Sequence, residues 1–517
     1  MMGSRTSGRP NIVLMLADQL RYDGLGCNGN PHAVTPNLDR LAQSGTVFHR
    51  HITANPVCMP SRSSLLTGRY PNGHGLWHNG VPLPRREYAR FDERLSGLAA
   101  RAHEGPIISN VPTLPDCLAE SGYQTRAIGK LHLTPTGAVP DYGYQESRAR
   151  WQTGELDDWH GPYYGFDHVE LTIGHGEETI GHYGAWLRDH HPEVARALAD
   201  GRHRQRAPFP ELPDLYPSAI PIEAHHSTWI GERARAFLEH DRDPDQPFFL
   251  FLGFPDPHHP YSPPAALADE FARHDVLLPH ENDDPSRLPE VVRQLRDGTI
   301  PNRSARDLSP ECIRRVRQYT NAMIHLIDRA AGNVLDTLDR LGQAEETIVV
   351  FTADHGDFLG DHGMIRKETV CSDTLVHVPF LLRAPDASLP AKTHTPMSNV
   401  DVLPTLCALA NVPLPAGVQG TNVLPAADGG ESHPVRVCGY LHDPRFHNFS
   451  IYDERYRFTW YPATEERELY DHQRDPHELQ NRAGDSALAA DEERLFATLL
   501  RHHVATDNPV GGRIARW

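Results

Sequence analysis

Apolar residues in this chain fall into short unbroken runs, and the first is Asn11-Ile-Val-Leu-Met-Leu-Ala17. A run with no polar alternation predicts a strand covered on both faces, as in the interior of a parallel sheet. Thr125–Ile128, Pro247–Phe254, Thr347–Thr352 and Pro379–Leu382 read the same way. Helical patterns lie between them. Thr35-Pro-Asn-Leu-Asp-Arg-Leu-Ala42 offers a cap-type Thr, a Pro in the first turn, and Leu38, Leu41 and Ala42 at helical spacing before Gly45 stops it. A second helix is predicted over Ser61–Thr67, directly after Cys58-Met-Pro. In Ile313–Leu341 the residues Val316, Tyr319, Met323, Ile324, Ile327 and Leu335 share one face. Strands alternating with helices predict an α/β fold: a large, mixed, mostly parallel sheet sandwiched by helices.

Two stretches break this rhythm. Pro140–Glu223 and Leu278–Arg306 are rich in Gly, His, Pro and aromatic residues with weak periodicity, and they are predicted as long loops, either binding loops or surface insertions. Residues 413–434 are rich in Pro and Gly and read as a linker. Beyond them, Arg436–Tyr461 alternates as antiparallel strands do, and Asp491–His503 has a helical pattern. The expected organisation is a disordered N-terminus at 1–10, a main domain at 11–412, a linker at 413–434 and a smaller C-terminal α+β subdomain at 435–517 with a short antiparallel sheet.

Composition narrows the function classes. The 517 residues carry a net charge of -18. So acidic a surface argues against a nucleic-acid binder and offers no basic groove for a long polyanion. No apolar run approaches the roughly 20 residues of a membrane span. No apolar segment precedes Asn11, so the chain is expected to be cytoplasmic. The 7 Cys are scattered with no CxxC pair, which indicates neither a zinc knuckle nor a disulfide framework. Among 33 His, the pairs His190-His191, His225-His226 and His502-His503 sit in polar stretches without a carboxylate pattern and read as solvated. His175, His182 and Trp186 are candidates for a pocket wall.

The residues with chemical potential cluster after predicted strands. Asp18, Lys130, Pro257-His258 and Asp354 each follow one, and open α/β sheets bind ligands at the carboxyl ends of their strands. If the strands ending at Asp18 and Asp354 are neighbours, the two carboxylates can hold one cation. Cys58 stands at the start of a helix with Arg62 one turn on, a setting that favours a thiolate or another anion. A buried structural Cys is the alternative reading. Lys130 and His132 are two apart and face one site if the backbone there is extended.

Cys58-Met-Pro-Ser-Arg62, continuing to Leu66-Thr-Gly68, resembles the signature of the type I, formylglycine-dependent sulfatases of the alkaline phosphatase superfamily. The similarity extends from Asn11 to about Gly484 through Asp18, Thr35-Pro-Asn-Leu-Asp39, Gly129-Lys-Leu-His132, Pro257-His-His-Pro-Tyr261, Thr352-Ala-Asp-His-Gly356, Lys367 and Glu468-Leu-Tyr-Asp471. The resemblance implies an alkaline phosphatase-like fold and oxidation of Cys58 to formylglycine by a dedicated maturation enzyme. It implies one divalent cation on Asp18, Gln19, Asp354, His355 and residue 58. It also implies catalytic roles for Arg62, Lys130, His132, His258 and Lys367. In such enzymes one hydroxyl of the formylglycine hydrate attacks sulfur, the alcohol leaves, and the second hydroxyl expels sulfate. His132 is then a base for the second step, and His258 and Lys367 hold the sulfate and protonate the leaving oxygen.

Gln19 and His355 depart from the commonest pattern of Asp and Asn, and are similar to the choline sulfatases and phosphonate monoester hydrolases. The family favours calcium, whereas an imidazole ligand makes manganese the alternative. The expected substrate is a small sugar, aryl or alkyl sulfate. The competing expectation is a phosphonate monoester or phosphodiester hydrolase on the same scaffold, which Lys130 and His132 disfavour because those enzymes resemble one another in carrying Tyr and Thr there.

Overall fold

The computed structural model of the chain describes residues 8–85, 110–201, 204, 207–280, 284–300, 308–385, 387–440 and 443–507. Most of the expected disordered N-terminus therefore lies outside the described residues, as do parts of the predicted loop at 278–306.

Five strands form the heart of the main sheet. They are β1 (Asn11–Ala17), β4 (Gln124–Gly129), β5 (His168–Ile173), β7 (Phe248–Gly253) and β8 (Thr347–Ala353). Four shorter strands extend it: β2 (Thr46–Phe48), β6 (Ile180–Gly181), β9 (Phe380–Arg383) and β10 (Lys392–Thr393). The order across the sheet is β10-β2-β9-β8-β1-β7-β4-β5-β6. The five central neighbours β8, β1, β7, β4 and β5 are mutually parallel, while β9 runs antiparallel to both β8 and β2. Two minor strands, β3 (His51–Ile52) and β11 (Met397–Ser398), pair in parallel. The C-terminal region adds an antiparallel four-stranded sheet, β12 (Val435–Gly439), β13 (Asn448–Tyr452), β14 (Tyr456–Tyr461) and β15 (Glu466–Asp471), followed by the helix Ala489–Ala505. The α/β architecture and the antiparallel sheet are those expected from the sequence.

Each face of the main sheet has its own core. Ile12, Leu14, Leu16, Phe249, Phe251 and Val350 pack with Leu65, Leu66, Leu114, Leu118, Leu403 and Leu406 from helices on one side. Val13, Met15, Leu250, Leu252, Val349 and Phe351 pack with Leu38, Leu41, Ile230, Ile324 and Ile327 from helices on the other. Both faces are covered, which is why these strands carry unbroken apolar runs.

Two expectations are corrected. Pro140–Glu223 is no long loop: it supplies β5, β6 and the helices Arg148–Gln152, His182–His190 and Pro192–Asp200. In β5, Val169, Leu171 and Ile173 face the core, while Glu170 on the other face is held by Arg126 and Arg233 at 2.8 Å each. That ion-paired Glu masks the strand in the sequence. The helix predicted at Ser61 begins at Cys58. Pro60 does not break it, because amides of the first turn have no intrahelical partner to lose.

A buried ion cluster clamps the segment after β8. Asp361 binds Arg21 at 2.6 Å and Arg317 at 2.9 Å, with all three side chains nearly inaccessible. Burial opposes its ionisation, but Arg21 and Arg317 outweigh that and lower its pKa from 3.8 to about 2. A depressed carboxylate contributes stability above its unfolded value, and that contribution is lost as pH falls through the folded value, here a window from about pH 4 to pH 2. Asp361→Asn, which leaves two guanidinium groups in the interior short of a counter-charge, is expected to lower the unfolding free energy at pH 7 by about 3 kcal/mol in urea melts. The difference from wild type should shrink as the pH is lowered through that window. Equal stability at pH 7 would refute this.

Candidate active site

Strand register sets the site. Ala17 of β1 aligns with Ala353 of β8, and the Asp354 amide donates to the Ala17 carbonyl at 3.1 Å. Asp18 and Asp354 therefore emerge side by side. On the other flank, the Asp18 amide donates to the Asp256 carbonyl just beyond β7, at 2.9 Å. The Lys130 amide donates to the Gly253 carbonyl at 2.7 Å, bringing the end of β4 to the same edge. Gly129, at a φ of 100°, allows this: a Cβ there would lie 2.0 Å from the Gly253 carbonyl oxygen. Every one of the five central parallel strands delivers a polar side chain to one place.

Cys58 stands at the first position of helix Cys58–Thr67. Its Sγ lies 3.2 Å from His355 Nε2, 3.7 Å from Asp18 Oδ1 and 3.1 Å from Lys367 Nζ. One turn on, Arg62 Nε binds Asp354 Oδ2 at 2.6 Å, its Nη2 lies 3.5 Å from Asp18 Oδ2, and its Nη1 donates to the Lys130 carbonyl at 2.7 Å. Lys130 Nζ pairs with Asp18 Oδ2. Lys367, from the segment between β8 and β9, also donates to Gln19 Oε1 at 2.9 Å. Gln19 takes a φ of 66°, its amide donates to Asp354 Oδ1 at 3.0 Å, and its Nε2 donates to Asp357.

Histidines line the β7–β5 side. His258 stacks on His175 with centroids 3.6 Å apart, and both come close to Asp18. His175 follows β5, and its Nε2 lies 3.5 Å from Asp18 Oδ2. His132 does not sit on extended backbone as expected: its φ is 60°, and its amide donates to the buried Glu146 carboxylate at 2.6 Å. Its Nδ1 is buried without a partner. The structure thus gathers Asp18, Gln19, Cys58, Arg62, Lys130, Asp354, His355 and Lys367 into direct contact, with His258 within 4.8 Å of Asp18 and His132 alongside.

Charge is dense and nearly sealed from water. Burial and Asp18 both oppose ionisation of Cys58, yet Lys367, Lys130 and His355 hold its pKa below the ordinary thiol value. Burial likewise opposes charge on Asp18, and Lys130 leads the groups that keep it well below the usual carboxylate range. His355 is raised despite burial because Asp354 stands beside it. His175, driven mainly by burial and then by Lys130, falls to about 3 and stays neutral.

Residues 10–412 match the sulfatase family, and residues 360–504 match the C-terminal family of N-sulphoglucosamine sulphohydrolase. This chain belongs to the sulfatase family. An arylsulfatase of Clostridium perfringens is 28% identical over 501 residues, covering 92% of this chain and 90% of the relative. A multifunctional alkaline phosphatase superfamily protein of Trinickia caryophylli is 28% identical over 522 residues, covering 93% of each. The crystal structure of a phosphonate monoester hydrolase of Agrobacterium radiobacter superposes with a TM-score of 0.73 at 24% identity, over 96% of both chains, and so shares the fold. The sulfatase is a sulfuric ester hydrolase of alkaline phosphatase-like architecture. Asp18, Cys58, Asp354 and His355 each offer a ligand atom within 4.8 Å of one another, a donor set that fits a divalent cation.

The sequence reading of this sulfatase missed three features. His175 is no more than a pocket-wall candidate in the sequence, because Glu170 hides the strand β5 that precedes it. Asp357, which orients Gln19, lies three residues beyond Asp354 and carried no signal. The pair His225-His226, read as solvated, is buried against Asp256. Its signal was the helix start after 225, whose apolar face includes Trp229 and Ile230. His182 is structural: its Nδ1 accepts the Leu171 amide at 2.8 Å.

Proposed function

We propose that the chain hydrolyses small sulfate monoesters to an alcohol and sulfate, using formylglycine at position 58 and one divalent cation. The observation that carries this is Cys58 at a helix N-terminus, within 3.7 Å of Asp18, His355 and Lys367. Asp18, Gln19, Asp354 and His355 would hold the cation together with residue 58. Calcium is favoured by the carboxylates and manganese is the alternative favoured by the imidazole. Bound there, the cation neutralises charge on the sulfate and acidifies an adjacent hydroxyl. Formylglycine supplies, as its hydrate, two hydroxyls on one carbon, one to attack and one to drive release.

The chain's own groups do the rest. Arg62 fixes Asp354 and screens the anion. Lys130 and Lys367 bring two further cations to the pocket, so a dianionic transition state meets three cationic side chains against two carboxylates. His258, neutral through burial and His175, has its one N–H turned to the His259 carbonyl and lines the sulfate pocket, and Lys367 gives the leaving oxygen its proton. His132 takes the proton that frees sulfate. Maturation is assigned to a formylglycine-generating enzyme in the cytoplasm. Among the described residues no helix is long and apolar enough to cross a membrane.

Hydrolysis of a phosphonate monoester is the second reading, favoured by Gln19 and His355 in the cation site. A panel of aryl and sugar sulfates against an aryl phosphonate ester separates the two. Sulfate esters should show the higher kcat/KM, by about 10-fold or more, as a site built around Lys130 and His132 discriminates by about a kcal/mol or two. Faster turnover of the phosphonate ester would reverse the assignment. Intact mass should fall about 18 Da below the unmodified chain where the Cys58 thiol has become an aldehyde.

A further inference from the structure

Next to the catalytic cluster, and sharing none of its side chains, lies a second group of ligand-type residues: His225, His226 and Asp256, all buried. His225 caps the helix His226–Ala236, and Asp256 lies in the turn that leads from β7 to His258. His226 Nε2 is 3.7 Å from Asp256 Oδ1, and His225 Nδ1 is 3.7 Å from Asp256 Oδ2.

Hydrogen bonding leaves this group incomplete. His226 Nε2 is fully buried and has no partner. Among the described residues no Lys or Arg pairs with Asp256, in contrast to Asp18, Asp354 and Asp361. Its one strong bond comes from the Ser227 hydroxyl, at 2.6 Å. A buried carboxylate facing an unpartnered imidazole nitrogen and no cation is costly without a further group between them.

We propose that His225, His226 and Asp256 form a second divalent-metal site of the zinc and cobalt class, structural rather than catalytic. Two imidazole nitrogens and one carboxylate suit these ions better than calcium, which prefers oxygen. One ligand atom from each of the three residues lies within 4.8 Å of the other two, and with metal–ligand bonds of about 2.1 Å an ion would draw them in to the roughly 3.4 Å of tetrahedral ligand atoms. Such an ion displaces the long contact, 3.3 Å, in which His225 Nδ1 accepts the Ser227 amide. The Ser227 hydroxyl then orients the ligating carboxylate. Tyr183, edge-on to His226 at 5.8 Å, closes one side. The ion would pin helix His226–Ala236 to the turn that carries His258.

The test uses the whole protein, stripped with a chelator and equilibrated with cobalt(II) alone, with bound cobalt counted per chain after desalting. Wild type is expected to hold two equivalents, Asp354→Asn one and His226→Gln one. Cobalt wholly lost in Asp354→Asn, or unchanged at two in His226→Gln, overturns the proposal. One equivalent in wild type that persists in Asp354→Asn and vanishes in His226→Gln upholds it, while removing the catalytic cation of the proposed function. If circular dichroism shows His226→Gln unfolded, crystals of the cobalt-loaded wild type decide. An anomalous peak bonded to His225, His226 and Asp256 upholds the site, and no peak there overturns it.

Discussion

Cys58→Ala is expected to lower sulfate-ester turnover by about 10⁴-fold or more, with the fold retained. The substitution deletes one heavy atom, the sulfur or the aldehyde oxygen that replaces it, from a buried position at the first turn of a helix, where alanine is well tolerated. Loss of its packing should cost about 1 kcal/mol, little against the stability of a chain this size. Chemically the loss is complete, because alanine can be neither oxidised to an aldehyde nor hydrated. Arg62, Lys130, His258 and Lys367 would still bind the sulfate, so affinity for the ester should survive better than kcat. Steady-state kinetics on an aryl sulfate, beside a thermal melt, separate these effects. If the variant kept more than a few per cent of wild-type turnover, position 58 would not supply the nucleophile.

The central fold was legible because burial on both faces leaves little freedom in composition. β1, β7 and β8 are apolar at nearly every position, and the residues that follow them, Asp18, Asp256 and Asp354, mark where the sheet meets the site. What the sequence could not show was pairing. That Asp18 and Asp354 adjoin depends on β1 and β8 being neighbours although some 330 residues separate them, as their pairing shows. β5 escaped for a different reason. Glu170 satisfies its charge with Arg126 and Arg233, partners distant in sequence, so a buried strand reads as a polar loop. His225 and His226 were misread on the same account, since a His pair in a polar stretch carries no sign of the Asp256 that faces it. His132 shows the limit of spacing arguments. Two residues on from Lys130 it was expected on extended backbone, but its φ of 60° turns the chain, and Glu146 accepts the amide this exposes.

Arg62→Ala is expected to cost activity and stability together, and its response to chelator tests the cation site. The Arg62 guanidinium, Asp18 and Asp354 are all fully inaccessible to solvent. Removing the guanidinium leaves two carboxylates competing for Lys130 and Lys367 in a medium that screens weakly. In chelator, the unfolding free energy should fall by about 3 kcal/mol, and kcat/KM by about 10³-fold when cation is present. A divalent cation between Asp18 and Asp354 neutralises the same two charges. Adding calcium or manganese should therefore recover much of the lost stability in the variant, and raise its melting temperature by more than it raises that of wild type. Arg62→Lys should keep most of the stability but little of the activity. An ammonium restores the charge without the fork that spans Asp354 and the Lys130 carbonyl. Should cation shift the melting temperature of wild type and Arg62→Ala equally, the two carboxylates would not be the ones that hold it.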